Sequence, residues 1–66
     1  MSQFKFKFPI GARIARSLTE APLLVVGHEI LAVPNNSRFY WTIATSGVRD
    51  WEYADVLEAE FIELEN

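Results

Sequence analysis

The chain lacks cysteine altogether and has a single histidine among its 66 residues. It therefore has no disulfide framework, no thiolate metal ligand and no cysteine nucleophile. One imidazole with scattered carboxylates also lacks the ligand spacing of a metal site. None of its serines lies in a nucleophile motif. We expect no metal, no cofactor and no catalytic residues, and hence a protein that is not an enzyme.

Long apolar runs are absent as well. The longest unbroken runs have four residues, such as residues 23–26, which end at Gly27, whereas a membrane helix needs about 18 apolar residues. Near the N-terminus, residues 4–8 alternate aromatic and charged side chains in place of a secretory apolar region. We expect a cytoplasmic protein with no membrane segment.

Apolar and aromatic residues are plentiful, at 50% and 14% of the chain. This content predicts one small globular domain over residues 1–66. The net charge is −3, and seven of the nine acidic residues follow Arg49. An acidic domain repels phosphates, so nucleic acid is an improbable partner. The early cations Lys5, Lys7, Arg13 and Arg16 leave a weak nucleic-acid-binding module as an alternative.

The first half of the chain shows the two-residue period of β-strands. Phe4, Phe6 and Phe8 alternate with lysines, which predicts a strand or N-terminal arm over residues 1–8. A short strand is expected over residues 12–16. Residues 23–33 are apolar on both faces, which indicates either a strand buried on two sides or one that bends and changes its inward face. Gly27 lies where a bulge of that kind would fall.

The second half predicts a β-hairpin. Turn residues 34–37 precede a strand over residues 38–45, and Ser46-Gly47 connects it to a strand over residues 48–53. Alternation in the first of these strands predicts Phe39, Trp41 and Ile43 on the inward face and Tyr40 on the outward face. In the second strand, Trp51 shares a face with Tyr53.

The C-terminal segment fits two structures. Ala54, Leu57, Phe61 and Leu64 have helical spacing, which favours a full helix. The alternative is one helical turn over residues 55–58 followed by a strand over residues 60–64, with Ile62 and Leu64 inward.

Residues 8–16, 22–27, 39–43 and 55–58 resemble the opening strand, second strand, third strand and one-turn helix of small SH3-like barrels. The resemblance implies an all-β barrel of about five strands with one helical turn before the last strand. It thereby favours the turn-and-strand reading of the C-terminal segment over an α+β fold with a C-terminal helix on an antiparallel sheet. It also implies a binding or assembly module, although the fold itself specifies no partner.

The aromatic residues of the hairpin are the best candidates for a binding site. Tyr40, Trp51 and Tyr53, with the acidic Asp50 and Glu52 beside them, would suit a basic or extended peptide segment of a protein partner. Because large rings also fill the interior of a small barrel, the tryptophans are alternatively core residues.

Phe4, Phe6 and Phe8 exceed what one small barrel is expected to bury. They predict either a homo-oligomer assembled through this aromatic strand or a partner that covers it. The remaining possibility is that the arm wraps around its own barrel.

Overall fold

The computed structural model describes residues 5–32 and 37–64. In this part of the chain five strands and one helix follow one another as β1 (Arg13–Ala15), β2 (Leu23–Leu31), β3 (Ser37–Ala44), β4 (Arg49–Tyr53), α1 (Ala54–Glu60) and β5 (Ile62–Leu64). The strands form a single antiparallel sheet in the order β4-β3-β2-β1-β5. The predicted fold class is confirmed: a mostly β domain with a short helix before the last strand. Most of the predicted turn over residues 34–37 lies outside the described residues.

β2 changes its inward face at a β-bulge, the second of the two interpretations of the long apolar run. Val25 pairs with Thr42 but Gly27 pairs with Trp41, so that Val26 is an extra residue in the ladder. One extra residue shifts every later side chain of the strand to the opposite face. His28 is therefore on the inner face of the sheet.

The faces of β3 are opposite to those predicted. Tyr40 is fully buried and Thr42 is 3% exposed, whereas Trp41 is 37% exposed. The prediction that Trp41 points inward and Tyr40 outward is wrong. Both faces of this strand carry aromatic rings, so alternation divides them into two sets without indicating which set meets the core.

The inner face of the sheet packs against α1 and against the N-terminal arm, by which we mean residues 5–8. Residues 5–8 form no strand, and Phe4 lies outside the described residues. Phe8 is 1% exposed, and Phe6 packs against the same cluster. The arm therefore wraps around its own domain. The buried apolar cluster consists of Phe8, Ala12, Ile14, Val25, Tyr40, Ala54 and Leu57.

The helix α1 has seven residues, about two turns, where one turn over residues 55–58 was predicted. Ala54 and Leu57 bury its inner side. The chain then leaves the helix at Phe61, whose N–H still donates to the Leu57 carbonyl at 2.9 Å. β5 pairs with β1. Ile62 was predicted to point inward, but it is 45% exposed.

Candidate functional site

The outer face of the sheet carries large apolar side chains that nothing else in the described chain covers. Together with Phe39, which is 7% exposed, they line a shallow groove of about 220 Å³, and we call the whole set the aromatic face: Leu31, Phe39, Trp41, Trp51 and Tyr53. Trp51 and Tyr53 are 46% and 47% exposed, and Leu31 is 46% exposed. Contiguous exposed apolar surface of this kind is characteristic of binding sites.

The pairing of β3 with β4 brings the four rings together. Trp41 pairs with Trp51, and Phe39 pairs with Tyr53. The Trp51 ring centroid lies 5.6 Å from that of Phe39 and 5.2 Å from that of Tyr53, both edge to face. Such contacts contribute about 0.5–1.5 kcal/mol each, so the rings hold one another in place before any partner binds.

Trp41 is fixed from both sides. Across the ladder it faces Gly27, where an added Cβ would lie 3.4 Å from the Cβ of Trp41 and 3.5 Å from its Cδ1. The indole Nε1–H donates to Oε1 of Glu29 at 2.7 Å. The glycine leaves space for the indole against the backbone, and the carboxylate sets its orientation.

Asp50 and Glu52 do not lie on the aromatic face. They line a cleft of about 240 Å³ on the other side of the sheet, beside the helix residues Leu57 and Glu60. Their placement follows from strand alternation, which separates them from Trp51 and Tyr53. The predicted set of aromatic and acidic residues is therefore divided between two faces that meet at the edge of β4.

Tyr40, the remaining predicted site residue, lies inside the domain. Its hydroxyl accepts the Phe8 N–H at 3.0 Å and donates to Oε2 of Glu58 at 2.6 Å. Burial and the bond to Glu58 raise the pKa of Tyr40 from 10.0 to about 12, although the Phe8 N–H acts in the opposite direction. Tyr40 joins the arm to the helix and is not accessible to a partner.

The Glu58 carboxylate accepts hydrogen bonds from several groups beside this buried hydroxyl. Besides Tyr40, its Oε2 accepts the Lys7 N–H at 2.9 Å and lies 3.5 Å from Nη1 of Arg38. Burial would raise the pKa of Glu58, but the Tyr40 hydroxyl, the Lys7 N–H and the Arg38 guanidinium together lower it below 4.5. The carboxylate is therefore held in its charged form.

The arm is also bound through its backbone. His28 Nε2 donates to the Phe8 carbonyl at 2.7 Å, and Arg38 donates to the Lys5 carbonyl. The Phe6 ring stacks on His28 with centroids 4.1 Å apart and planes 4° apart. Main-chain recognition of this kind fixes an extended conformation, so the arm behaves as a built-in ligand of the inner face.

The Tyr40–Glu58 pair predicts a stability profile with two limits. Because folding lowers the pKa of Glu58, its contribution is present above pH 4.5 and disappears as the pH falls below that value. Because folding raises the pKa of Tyr40, its contribution is present below pH 10.0 and disappears as the pH rises toward about 12. Urea denaturation at a series of pH values measures both limits. Tyr40→Phe should abolish the alkaline loss, and an unchanged alkaline profile in that variant would contradict the assignment.

Sequence reasoning missed three members of the aromatic face: Leu31, Phe39 and Trp41. One signal was present. If the bulge at Gly27 is carried through the ladder, His28 turns inward beside Tyr40, and the two then share the inner face. Trp41 must consequently face outward.

No helix within the described residues is long and apolar enough to cross a membrane. No group of three or more His, Cys, Asp or Glu side chains in the same residues is arranged to hold a metal ion. Compared with known proteins, the chain matches no family model, no curated protein and no solved structure.

Proposed function

We propose that this chain is a protein-interaction module of the SH3-like barrel type, which binds an extended segment of a protein partner on its aromatic face. The strand order β4-β3-β2-β1-β5, with the helix inserted before β5, supports the SH3-like assignment. The observation that carries the binding role is the exposure of Trp41, Trp51 and Tyr53 on one surface.

A partner accounts for this surface better than folding does. Single exposed apolar residues are common on proteins, but contiguous aromatic patches are not. Tryptophan and tyrosine are also the residues that contribute most to binding at protein interfaces. The helix and the arm both cover the inner face, so they leave the aromatic face to a partner.

The groups with shifted pKa values support a role other than catalysis. Perturbed groups at an active site lie open to a substrate. Here Tyr40 and Glu58 bond to each other and to the arm backbone. Their shifts arise from structural contacts, which favours a binding module over an enzyme.

The two alternatives have weaker support. Of the residues proposed for homo-oligomer assembly, Phe8 lies in the core and Phe6 stacks on His28. Among the cations proposed to bind nucleic acid, Arg16 forms an ion pair within the domain, with its Nη2 3.4 Å from Oε1 of Glu60. Both alternatives stay predictions, and neither has a feature as distinctive as the aromatic face.

The binding role is tested with peptides selected from a displayed random library against the folded domain. Both tryptophans of the chain lie on the aromatic face, so their fluorescence reports binding directly. Trp51→Ala should weaken binding by about tenfold or more, as loss of a central interface ring does. Circular dichroism should remain that of the folded domain.

The matched control is Ile10→Ala, because Ile10 is 62% exposed and lies outside the aromatic face. This variant should bind the selected peptides as the unchanged domain does. If the Trp51 variant stays folded and keeps full affinity for every selected peptide, the proposed function is wrong.

A further inference from the structure

β4 is the last strand at one end of the sheet and pairs only with β3 among the described residues. The Ala44 N–H donates to the Val48 carbonyl at the start of the hairpin. Since hydrogen-bonded pairs alternate along an antiparallel ladder, Asp50 and Glu52 direct their backbone groups toward β3. Trp51 and Tyr53 direct theirs toward the open edge.

The N–H groups at this edge are occupied by neighbouring side chains. The Trp51 N–H donates to Oδ1 of Asp50 at 2.8 Å, and the Tyr53 N–H donates to Oε2 of Glu52 at 3.2 Å. These bonds are exposed, so each contributes little and is readily exchanged. The edge is therefore covered by its own carboxylates until another strand replaces them.

The two sides of the edge differ in chemistry. On the outer side, Trp51 and Tyr53 present apolar rings. On the inner side, Asp50 and Glu52 present carboxylates, and neither has a salt-bridge partner among residues 5–32 and 37–64. A strand laid along this edge would place alternate residues beside the rings and beside the carboxylates.

We propose that an extended segment with alternating apolar and basic residues binds as an additional strand along the open edge of β4. Its apolar side chains pack on Trp51 and Tyr53, and its basic side chains pair with Asp50 and Glu52. The inference rests on the proposed function and specifies how and what the aromatic face binds.

The exchange of bonds favours a basic segment over a neutral one. When the segment pairs with β4, the N–H groups of Trp51 and Tyr53 donate to backbone carbonyls of the segment. They no longer donate to the carboxylates of Asp50 and Glu52. The released carboxylates of Asp50 and Glu52 then need new donors, which lysine or arginine supplies as a charge-assisted bond. A neutral segment gives them only water.

The same charges disfavour a second copy of this domain as the occupant. Two β4 edges paired with each other would bring Asp50 and Glu52 of both copies together. Like charges directly across a ladder are destabilising. We therefore assign the edge to a different chain of opposite charge.

The test uses a synthetic peptide of alternating valine and lysine with blocked ends, titrated while tryptophan fluorescence is recorded. A peptide of alternating valine and serine is the neutral control and should bind about tenfold more weakly. Asp50→Asn combined with Glu52→Gln keeps the side-chain acceptors but removes both charges. This double variant should bind the lysine peptide about tenfold more weakly, and its affinity for the serine peptide should be unchanged.

Strand pairing itself is tested by N-methylating the lysine peptide at all valines or at all lysines. Only one set of amides faces β4, the valines in an antiparallel arrangement and the lysines in a parallel one. One methylated series should lose binding and the other should keep it. Equal effects of both series, or a peptide-dependent dimer of the domain, overturn strand addition. Trp51→Ala separates this inference from the proposed function. If Trp51→Ala weakens binding but both methylated series bind equally well, the proposed function stands and strand addition is wrong.

Discussion

Phe8→Ala is expected to lower the free energy of unfolding by about 3–5 kcal/mol, the usual cost of removing a buried phenylalanine ring. Phe8 is 1% exposed and belongs to the cluster of Ile14, Val25 and Leu57. A domain of this size has a total stability of about 3–10 kcal/mol. The variant should therefore lose about a third or more of this stability, as measured by urea denaturation followed by circular dichroism.

Two further variants make the result specific to the ring. Phe8→Leu keeps most of the buried volume and should cost less than about 1.5 kcal/mol. Phe6→Ala removes a half-buried ring that stacks on His28, and should cost about 1–2 kcal/mol. Equal losses for Phe6→Ala and Phe8→Ala would show that Phe8 is not part of the core.

Glu58→Ala should have the second-largest effect, a loss of about 3 kcal/mol. The substitution removes the acceptor of the Tyr40 hydroxyl and of the Lys7 N–H, and it leaves the Arg38 guanidinium without its more buried partner. Removing one member of a buried hydrogen-bonded ion pair costs about 3–5 kcal/mol. The side chains of Glu58 and Arg38 are 20% and 18% exposed, which places the expected loss at the lower end. Thermal or urea denaturation at neutral pH measures it.

Asp55 supplies the matched control. Its Oδ1 lies 3.1 Å from Nη2 of Arg38, but its side chain is 93% exposed. An exposed ion pair contributes about 1 kcal/mol at most, so Asp55→Ala should change stability far less than Glu58→Ala. Comparable losses from the two variants would contradict the importance given to burial.

Most of the strand architecture was predictable because turns and alternation are local signals. Ser46-Gly47 marks the hairpin turn, and Gly47 has the positive φ of 93° that favours glycine there. Gly27 by itself indicates the bulge in β2, where it pairs with Trp41. These features depend on residues that are neighbours in the chain, and local patterns record them.

The faces of β3 were not predictable from the strand alone. Tyr40 and Trp41 are both large and aromatic, and choosing the buried one depends on what packs against the strand. Phe8 and Glu58 favour burial of Tyr40, because both form hydrogen bonds with its hydroxyl. They lie 32 and 18 residues away in the chain, beyond the reach of a periodic pattern.

Only those features of the candidate site that depend on one strand were predicted. Trp51 and Tyr53 were correctly placed on one face, since they are two residues apart in one strand. Asp50 and Glu52 were grouped with them because they are adjacent in sequence, although alternation sends them to the opposite face. α1 is longer than the one turn that the resemblance to SH3-like barrels implies, because helix-forming residues continue through Ala59 and Glu60.

The bond from the Lys7 N–H to Glu58 spans 51 residues, and β1 finds its second neighbour only in β5. During translation, the start of the chain leaves the ribosome long before these two partners exist. Contacts between distant parts of a chain also form slowly, because a large loop must close first. We therefore expect this domain to fold after its synthesis is complete, and fragments that stop before Glu58 to remain unfolded.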